Sequence, residues 1–525
     1  MEFIIFQFPR VMELRRPAIW SLWINKKIRE LRFNFSTLFF LFLVLQVHSG
    51  FSQNQNNIWC FGDSAGINFS DTSNLITFSS ALDSRGSCVS IADSSGQLLF
   101  YANTRATLPG FTTRVWNSTN QLMDGGDSIV GRGWYNELII IPFPGSSSLY
   151  YLFSAGVTGF YGLFYSVIDM NENGGLGKVI QKNVPIHTYG TWDGLAAIKH
   201  ANGRDWWLIT KDNRSGSPNG SNVFTKYLIT DTGITEILQP SGSFVYGSAG
   251  TMSFSRSGTK FLFATWAGLI EVFDFDRCTG LFSNPVVVSG VRLTGNKLTI
   301  GSAFSPNENV IYISQNDTTS YLFQYDLTAP NIATTKDTIS TINSPKIAGG
   351  LLKLAPNDKI YWSCVWNNGV SNNYPYADTM FHTQNMNLSV ISTPDSLGSA
   401  CNFSLYGFYL GGKRTYWGLP NNPDYELGAE AGSVCDSLSN GLEGLTPLED
   451  HIVVYPNPFT NELNLLSKYP IRTKLILRNA LGQEIFRKTI GEKESINLSL
   501  LSDGIYFLEL ISEKGIQRMK LMKVK

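Results

Sequence analysis

Asp169-Met170-Asn171-Glu172-Asn173-Gly174 carries the spacing D-x-[DN]-x-[DN]-G, in which alternating oxygens on a tight turn can surround a calcium ion. Asp169, Asn171 and Asn173 would be the ligands, yet Ile180 stands where an EF-hand loop closes with a bidentate Glu. The same residues also suit a plain Gly/Asn hairpin turn. A second group, Trp192, Asp193 and Trp206, sets a carboxylate among indoles that could face a ligand and stack on a sugar ring; such indoles equally fill a sheet core. The 5 histidines are scattered, with no HExxH or HxH spacing, and neither GxSxG nor a P-loop occurs. Paired carboxylates for glycoside hydrolysis depend on spatial separation, so an extracellular carbohydrate-active hydrolase stays open as the alternative to a binding protein. No catalytic residue is assigned, and no cofactor other than that calcium ion is expected.

The elements that must hold these residues are strands. The chain has 525 residues with 16% charged, 13% aromatic and 48 Gly, a balance that disfavours disorder, coiled coil and charged helical bundles. Its zero net charge is unevenly spread: +4 over residues 1–50, −9 over 51–450 and +5 over 451–525. An acidic main body argues against a nucleic-acid partner, which would call for a basic surface there.

One pattern recurs along that body: a short apolar or small segment, a turn rich in Asn, Asp, Ser or Gly, then strand-forming residues. Taking Gly96, Gly145, Gly203, Gly258, Asn307 and Asn357 as markers, the spacings are 49, 58, 55, 49 and 50. A period near 50 with a hairpin in each unit predicts propeller blades of about four strands each. With Ile58–Phe69 and Asn402–Tyr409 left to close the ring, the expectation over 53–417 is a seven-bladed β-propeller, with two stacked sandwiches as the competing arrangement. Residues 418–450 are acidic, contain Gly and Pro, and read as a linker. Seven short strands separated by Asn-Pro, Leu-Gly-Gln, Ser-Asp-Gly and Lys-Gly turns then predict a small Ig-like β-sandwich over 451–525. The fold class is all-β.

At the other end, Leu38–Val47 is apolar except for Gln46, follows Lys26, Lys27, Arg29 and Arg32, and precedes Gly50-Phe51-Ser52. This is the layout of a secretory signal peptide occupying 1–52, and the core falls short of the roughly 20 apolar residues of a bilayer span. The mature form is therefore expected to have no transmembrane span. Export to an oxidising compartment predicts disulfides among Cys60, Cys88, Cys278, Cys364, Cys401 and Cys435.

Val454-Tyr455-Pro456-Asn457-Pro458-Phe459-Thr460, Arg478-Asn479-Ala480-Leu481-Gly482-Gln483 and Leu501-Ser502-Asp503-Gly504-Ile505-Tyr506-Phe507, followed by a basic end with Lys520, resemble the type A C-terminal sorting domain of the type IX secretion system. The resemblance makes Tyr455, Pro456, Asn457, Pro458, Gly482, Gly504, Tyr506 and Lys520 the sorting motif. It implies export through the inner membrane, recognition by the outer-membrane translocon, removal of the domain by a sorting peptidase, and residence outside a Gram-negative bacterium or on its outer-membrane surface. Segments such as Asn57–Phe69 and Phe275–Gly280 are similar to propeller-type ectodomains that accompany such sorting domains. Together these features predict a secreted binding or adhesion protein whose partner is an extracellular glycan or protein.

Overall fold

The computed structural model describes residues 54–84, 86–104, 111–131, 136–156, 162–211, 220–245, 249–290, 298–344, 346–366, 380–436, 452–467, 472–479, 483–512 and 515–524. The predicted signal peptide and Gly482 lie outside them. The chain divides into two compact units, 1–430 and 431–525.

In the first unit, seven sheets follow one another among the described residues, each an antiparallel meander. Their innermost strands are Ile58–Phe61, Cys88–Ala92, Leu138–Pro142, Ala196–Lys199, Gly250–Phe254, Leu298–Phe304 and Ile347–Leu354. The sheets are called one to seven in that order. The first two have three strands and the others four.

Burial grades outward across each sheet. The second strands Trp206–Lys211 and Val310–Asn316 are buried along their whole length, whereas the outer strand Leu281–Ser289 is largely exposed and Lys178–His187 is mostly half-buried or exposed. Full burial of a strand requires apolar packing on both of its faces, so each sheet must be flanked by two others. Successive innermost strands touch in order from the first sheet to the seventh.

The ring closes between its ends. Trp59 of the first sheet meets Tyr361 of the seventh edge-on, with centroids 5.9 Å apart. The Asp63 amide donates to the Arg414 carbonyl at 2.8 Å, and Arg414 Nε donates to the Asp63 carboxylate at 3.0 Å. The arrangement is propeller-like.

The recurring turn has a simple geometric cause. Gly96, Gly203 and Gly258 all have positive φ and donate their amides to the carbonyl three residues back. In the sixth and seventh sheets the same place is taken by Glu308 (φ 63°) and Asp358 (φ 61°), one residue after the asparagines used as markers. A side chain in the left-handed region is uncommon. Both of these carboxylates reach the hairpin tip at Arg256 and Ser257.

Among its described residues the second unit contains seven strands, the number expected. Ile452–Tyr455, Glu462–Ser467 and Lys493–Asn497 form one sheet; Glu484–Ile490, Thr473–Asn479, Gly504–Ser512 and Gly515–Lys523 form the other. Both contribute to one core that includes Phe459, Leu465, Leu477 and Leu508. Along Gly504–Ser512, Tyr506, Leu508 and Leu510 point inward while Ile505 and Phe507 are exposed, the two-residue period of a one-sided strand.

Candidate functional site

Residues 418–430, expected to begin a linker, instead run along the channel inside the ring. The strap enters at Gly418, where a Cβ would lie 1.6 Å from the Gly86 carbonyl, so no other residue fits without backbone movement. Asn421 then donates its amide to Cys88 O at 2.8 Å and its side chain to Leu138 O at 2.9 Å and Leu195 O at 3.0 Å. Asn422 Oδ1 accepts from the Ser90 amide at 3.0 Å, Tyr425 Oη donates to Ile140 O at 3.0 Å, and the Glu430 amide donates to Ala201 O at 2.8 Å. Innermost strands leave backbone groups facing the axis. The strap supplies partners to several of them in the second and third sheets, and to the Leu195 and Ala201 carbonyls that flank the innermost strand of the fourth.

Cations fix the strap's own carbonyls. Lys353 Nζ donates to Asn422 O at 2.8 Å, Lys199 Nζ to Tyr425 O at 2.8 Å, and Arg277 to Gly428 O. Burial pushes Lys353 down to about 8, against the pull of Asp424 and Cys88. It also brings Lys199 to about 8, with Arg277 adding to the fall and Asp424 and Glu426 opposing it.

Opposite the strap, against the fifth, sixth and seventh sheets, a cavity of about 580 Å³ remains. Thr251, Ser253 and Ser302 form a hydroxyl wall, Asp424 and Glu426 line the strap side, and Arg256 and Asp358 stand at the hairpin end. Thr251 Oγ1 and Ser302 Oγ share a hydrogen bond of 2.8 Å, and Ser253 Oγ donates to Ser302 O at 3.2 Å. Arg256 pairs with Asp358, joining the fifth and seventh sheets across that end. The Asp424 carboxylate accepts from the Glu426 amide at 2.9 Å. Desolvation, and then the nearby Asp424 charge, push the Glu426 carboxyl up to about 7, while Arg256 and Lys199 oppose the rise.

These shifts have opposite pH signs. The Glu426 carboxyl, raised in the fold, contributes stability that is complete below about pH 4.5 and lost as pH rises through about 7. The depressed lysines contribute stability that is present above about 10.5 and lost as pH falls through about 8. The strap is therefore held least firmly between pH 7 and 8. Glu426→Gln should leave the melting midpoint unchanged below pH 4.5 and raise it above pH 7. The expected rise is about 1–2 °C, because the carboxyl is solvent-reached and keeps only part of the effect. Melting curves of the two proteins across pH 4–8 test this, and a flat difference refutes it.

The residues singled out from sequence lie elsewhere. Trp192, Asp193 and Trp206 are buried and do not line the cavity, which corrects their ligand-facing assignment. Trp192 packs in the core with Phe263 and the other aromatics of the fifth sheet. Trp206 lies edge-on to Tyr425 at 6.0 Å, beneath Lys199. Asp169, Asn171 and Asn173 shape the turn between Gly162–Asp169 and Lys178–His187, where Asp169 Oδ1 accepts the Asn171 amide at 2.9 Å. Among the described residues no cluster of three or more His, Cys, Asp or Glu gathers to hold a metal.

Of the six cysteines, two are in a disulfide. Cys278 and Cys435 are disulfide-bonded, whereas Cys60, Cys88, Cys364 and Cys401 are free, buried thiols. Within a core a thiol packs as a small apolar side chain.

In the second unit the motif residues bind the final strand to the first turn. Asn457 donates its side-chain amide to Lys520 O at 2.8 Å and accepts from the Met522 amide at 2.9 Å. Phe459 is buried, and its amide donates to Met522 O at 2.8 Å. Pro456 and Pro458 are exposed and carry no amide donor, so they cannot extend a sheet edge. Gly504 has φ 151°, and Tyr506 Oη donates to Ser502 O at 2.7 Å. Exposed Lys520 is paired in register with exposed Phe507, and Tyr455 is also exposed.

Residues 453–524 match the family described as "Secretion system C-terminal sorting domain". This segment is a secretion sorting domain. The chain is accordingly handled by the type IX system and delivered to the cell surface. No helix among the described residues is long and apolar enough to cross a membrane.

No curated protein matches the chain. Among solved structures, it is similar to a candidate 6-phosphogluconolactonase of Bacteroides fragilis NCTC 9343, at 9% identity over 70% of this chain and 98% of the other, with a TM-score of 0.42. It is also similar to the β-propeller domain of Cps50 (Swd1) from Myceliophteria thermophila, at 12% identity over 59% and 93%, with a TM-score of 0.32. A third is the extracellular domain of a candidate one-component system from B. thetaiotaomicron, at 13% identity over 90% and 56%, with a TM-score of 0.34.

Proposed function

We propose that this chain is a surface binding protein: a seven-bladed β-propeller that presents the half-filled channel and its hairpin end to an extracellular glycan or protein. A signal peptide at 1–52 starts export, and an Ig-like sorting sandwich at 451–525 meets the translocon and the sorting peptidase. The observation that carries the binding reading is the strap. A chain segment fixed along one side of the channel leaves a walled cavity on the other, of a size within the roughly 300–1,000 Å³ of small-ligand sites.

The second reading, a carbohydrate-active hydrolase, is favoured by one feature. The Glu426 carboxyl, raised to about 7 chiefly by desolvation, stands beside Asp424, and a carboxyl that holds its proton near neutral pH suits the role of a general acid. A screen of the secreted full chain against glycan and host-protein arrays, with hydrolysis followed in the same wells, separates the two. Saturable binding without product release supports the binding protein, and turnover lost in Glu426→Gln supports the hydrolase. Absence of both refutes each reading.

A further inference from the structure

We propose that the cavity beside the strap is a site for a neutral mono- or disaccharide, a deepening that rests on the binding reading above. Two unpartnered polar atoms on residues beside it carry the first step. Trp59 Nε1 and Asn56 Oδ1 belong to residues that line the cavity, both atoms are shielded, and neither finds a hydrogen-bond partner among the described residues. Trp59 itself is only 1% exposed. A buried donor and a buried acceptor left unmade each cost free energy. A hydroxyl both donates and accepts, so a polyol can satisfy the two with one kind of group.

The remaining wall has the same preference. Thr251, Ser253 and Ser302 offer hydroxyls from the fifth and sixth sheets, and Asp424 and Glu426 offer acceptors from the strap.

Charge argues for a neutral ligand. Two cations line the cavity: Lys353, which donates to Asn422 O, and Arg256, which is paired with Asp358. Against them stand Asp358, Asp424 and Glu426. A phosphate or uronate would enter against these carboxylates with no uncommitted cation to meet it. A multivalent cation is opposed by Lys353 and Arg256, and by Lys199 and Arg277 along the strap.

The test is calorimetric titration of the full chain with glucose, galactose, mannose, N-acetylglucosamine and their disaccharides. Glucose 6-phosphate and glucuronate serve as charged probes. At least one neutral sugar should bind one-to-one, with each charged probe at least tenfold weaker. Thr251→Val and Glu426→Gln, both checked for an unchanged fold by circular dichroism, should each weaken that binding at least tenfold. Thr251→Val removes a buried hydroxyl and Glu426→Gln alters a solvent-reached side chain, so a folding defect in the first leaves the second to decide. Tighter binding of a charged probe overturns the proposal, as does failure of every neutral sugar. If a neutral sugar binds but ignores both substitutions, this site is refuted while the surface-binding reading stands.

Discussion

Cells expressing the chain without residues 451–525 should show none of it at their surface. The protein is expected to accumulate inside the outer membrane, with surface labelling falling to background. The physical case rests on the module being a folded object. It closes its own core around Phe459, Leu477 and Leu508, and Asn457 ties the turn at Tyr455–Pro458 to the final strand at Lys520 and Met522. A receptor can therefore read the turn and the basic strand as one surface, on which Lys520 is exposed in register with Phe507. Phe459→Asp gives the same result by another route. A carboxylate forced into that core cannot stay buried and ionised, so this module is disrupted without removal of any residue. Fractionation and surface proteolysis measure both proteins. Normal surface arrival of the deleted chain would refute the assignment of the sorting signal to this segment.

The same module shows why part of the architecture could be read directly from the residues. Its strands alternate inward and outward with a period of two, as at Tyr506, Phe507, Leu508 and Glu509, and its turns hold Gly or Pro where the backbone needs them. The repeating hairpins of the larger unit were legible for a related reason. Gly96, Gly203 and Gly258 answer a local demand for positive φ that does not depend on the rest of the fold.

The channel was not legible, because it is a product of ring closure. Asn421 touches Cys88, Leu138 and Leu195, which are hundreds of residues away in sequence, and nothing in its neighbourhood announces them. Pro420, Pro423, Asp424, Glu426 and Gly428 read as linker chemistry. Prolines, however, also suit a strap that makes its contacts through side chains and carbonyls and needs few amide donors. One signal was present, an aromatic residue, Tyr425, set between two acids. The tryptophans misled in the opposite direction. Trp192 and Trp206 have polar neighbours in sequence, but burial in packed sheets decides their surroundings.

Tyr425 is also where the strap can be tested most severely. Its side chain is fully buried, its ring meets Trp206, and its hydroxyl donates to Ile140 O. Tyr425→Ala removes the ring and leaves a cavity between the strap and the third and fourth sheets, a change that costs about 3–5 kcal/mol for a buried aromatic. Tyr425→Phe keeps the ring and strands the Ile140 carbonyl, for a loss of about 1–3 kcal/mol. Urea unfolding of the full chain should rank the proteins wild type, Tyr425→Phe, Tyr425→Ala. Limited proteolysis should open a new cleavage site within 419–430 in the alanine variant first, because Asn421 and Glu430 still hold the ends of the strap while its middle is loosened. A true linker would tolerate the alanine within about 0.5 kcal/mol, as surface positions do. That result would mean the segment merely passes through the channel, and the walled cavity would lose the side that Asp424 and Glu426 provide.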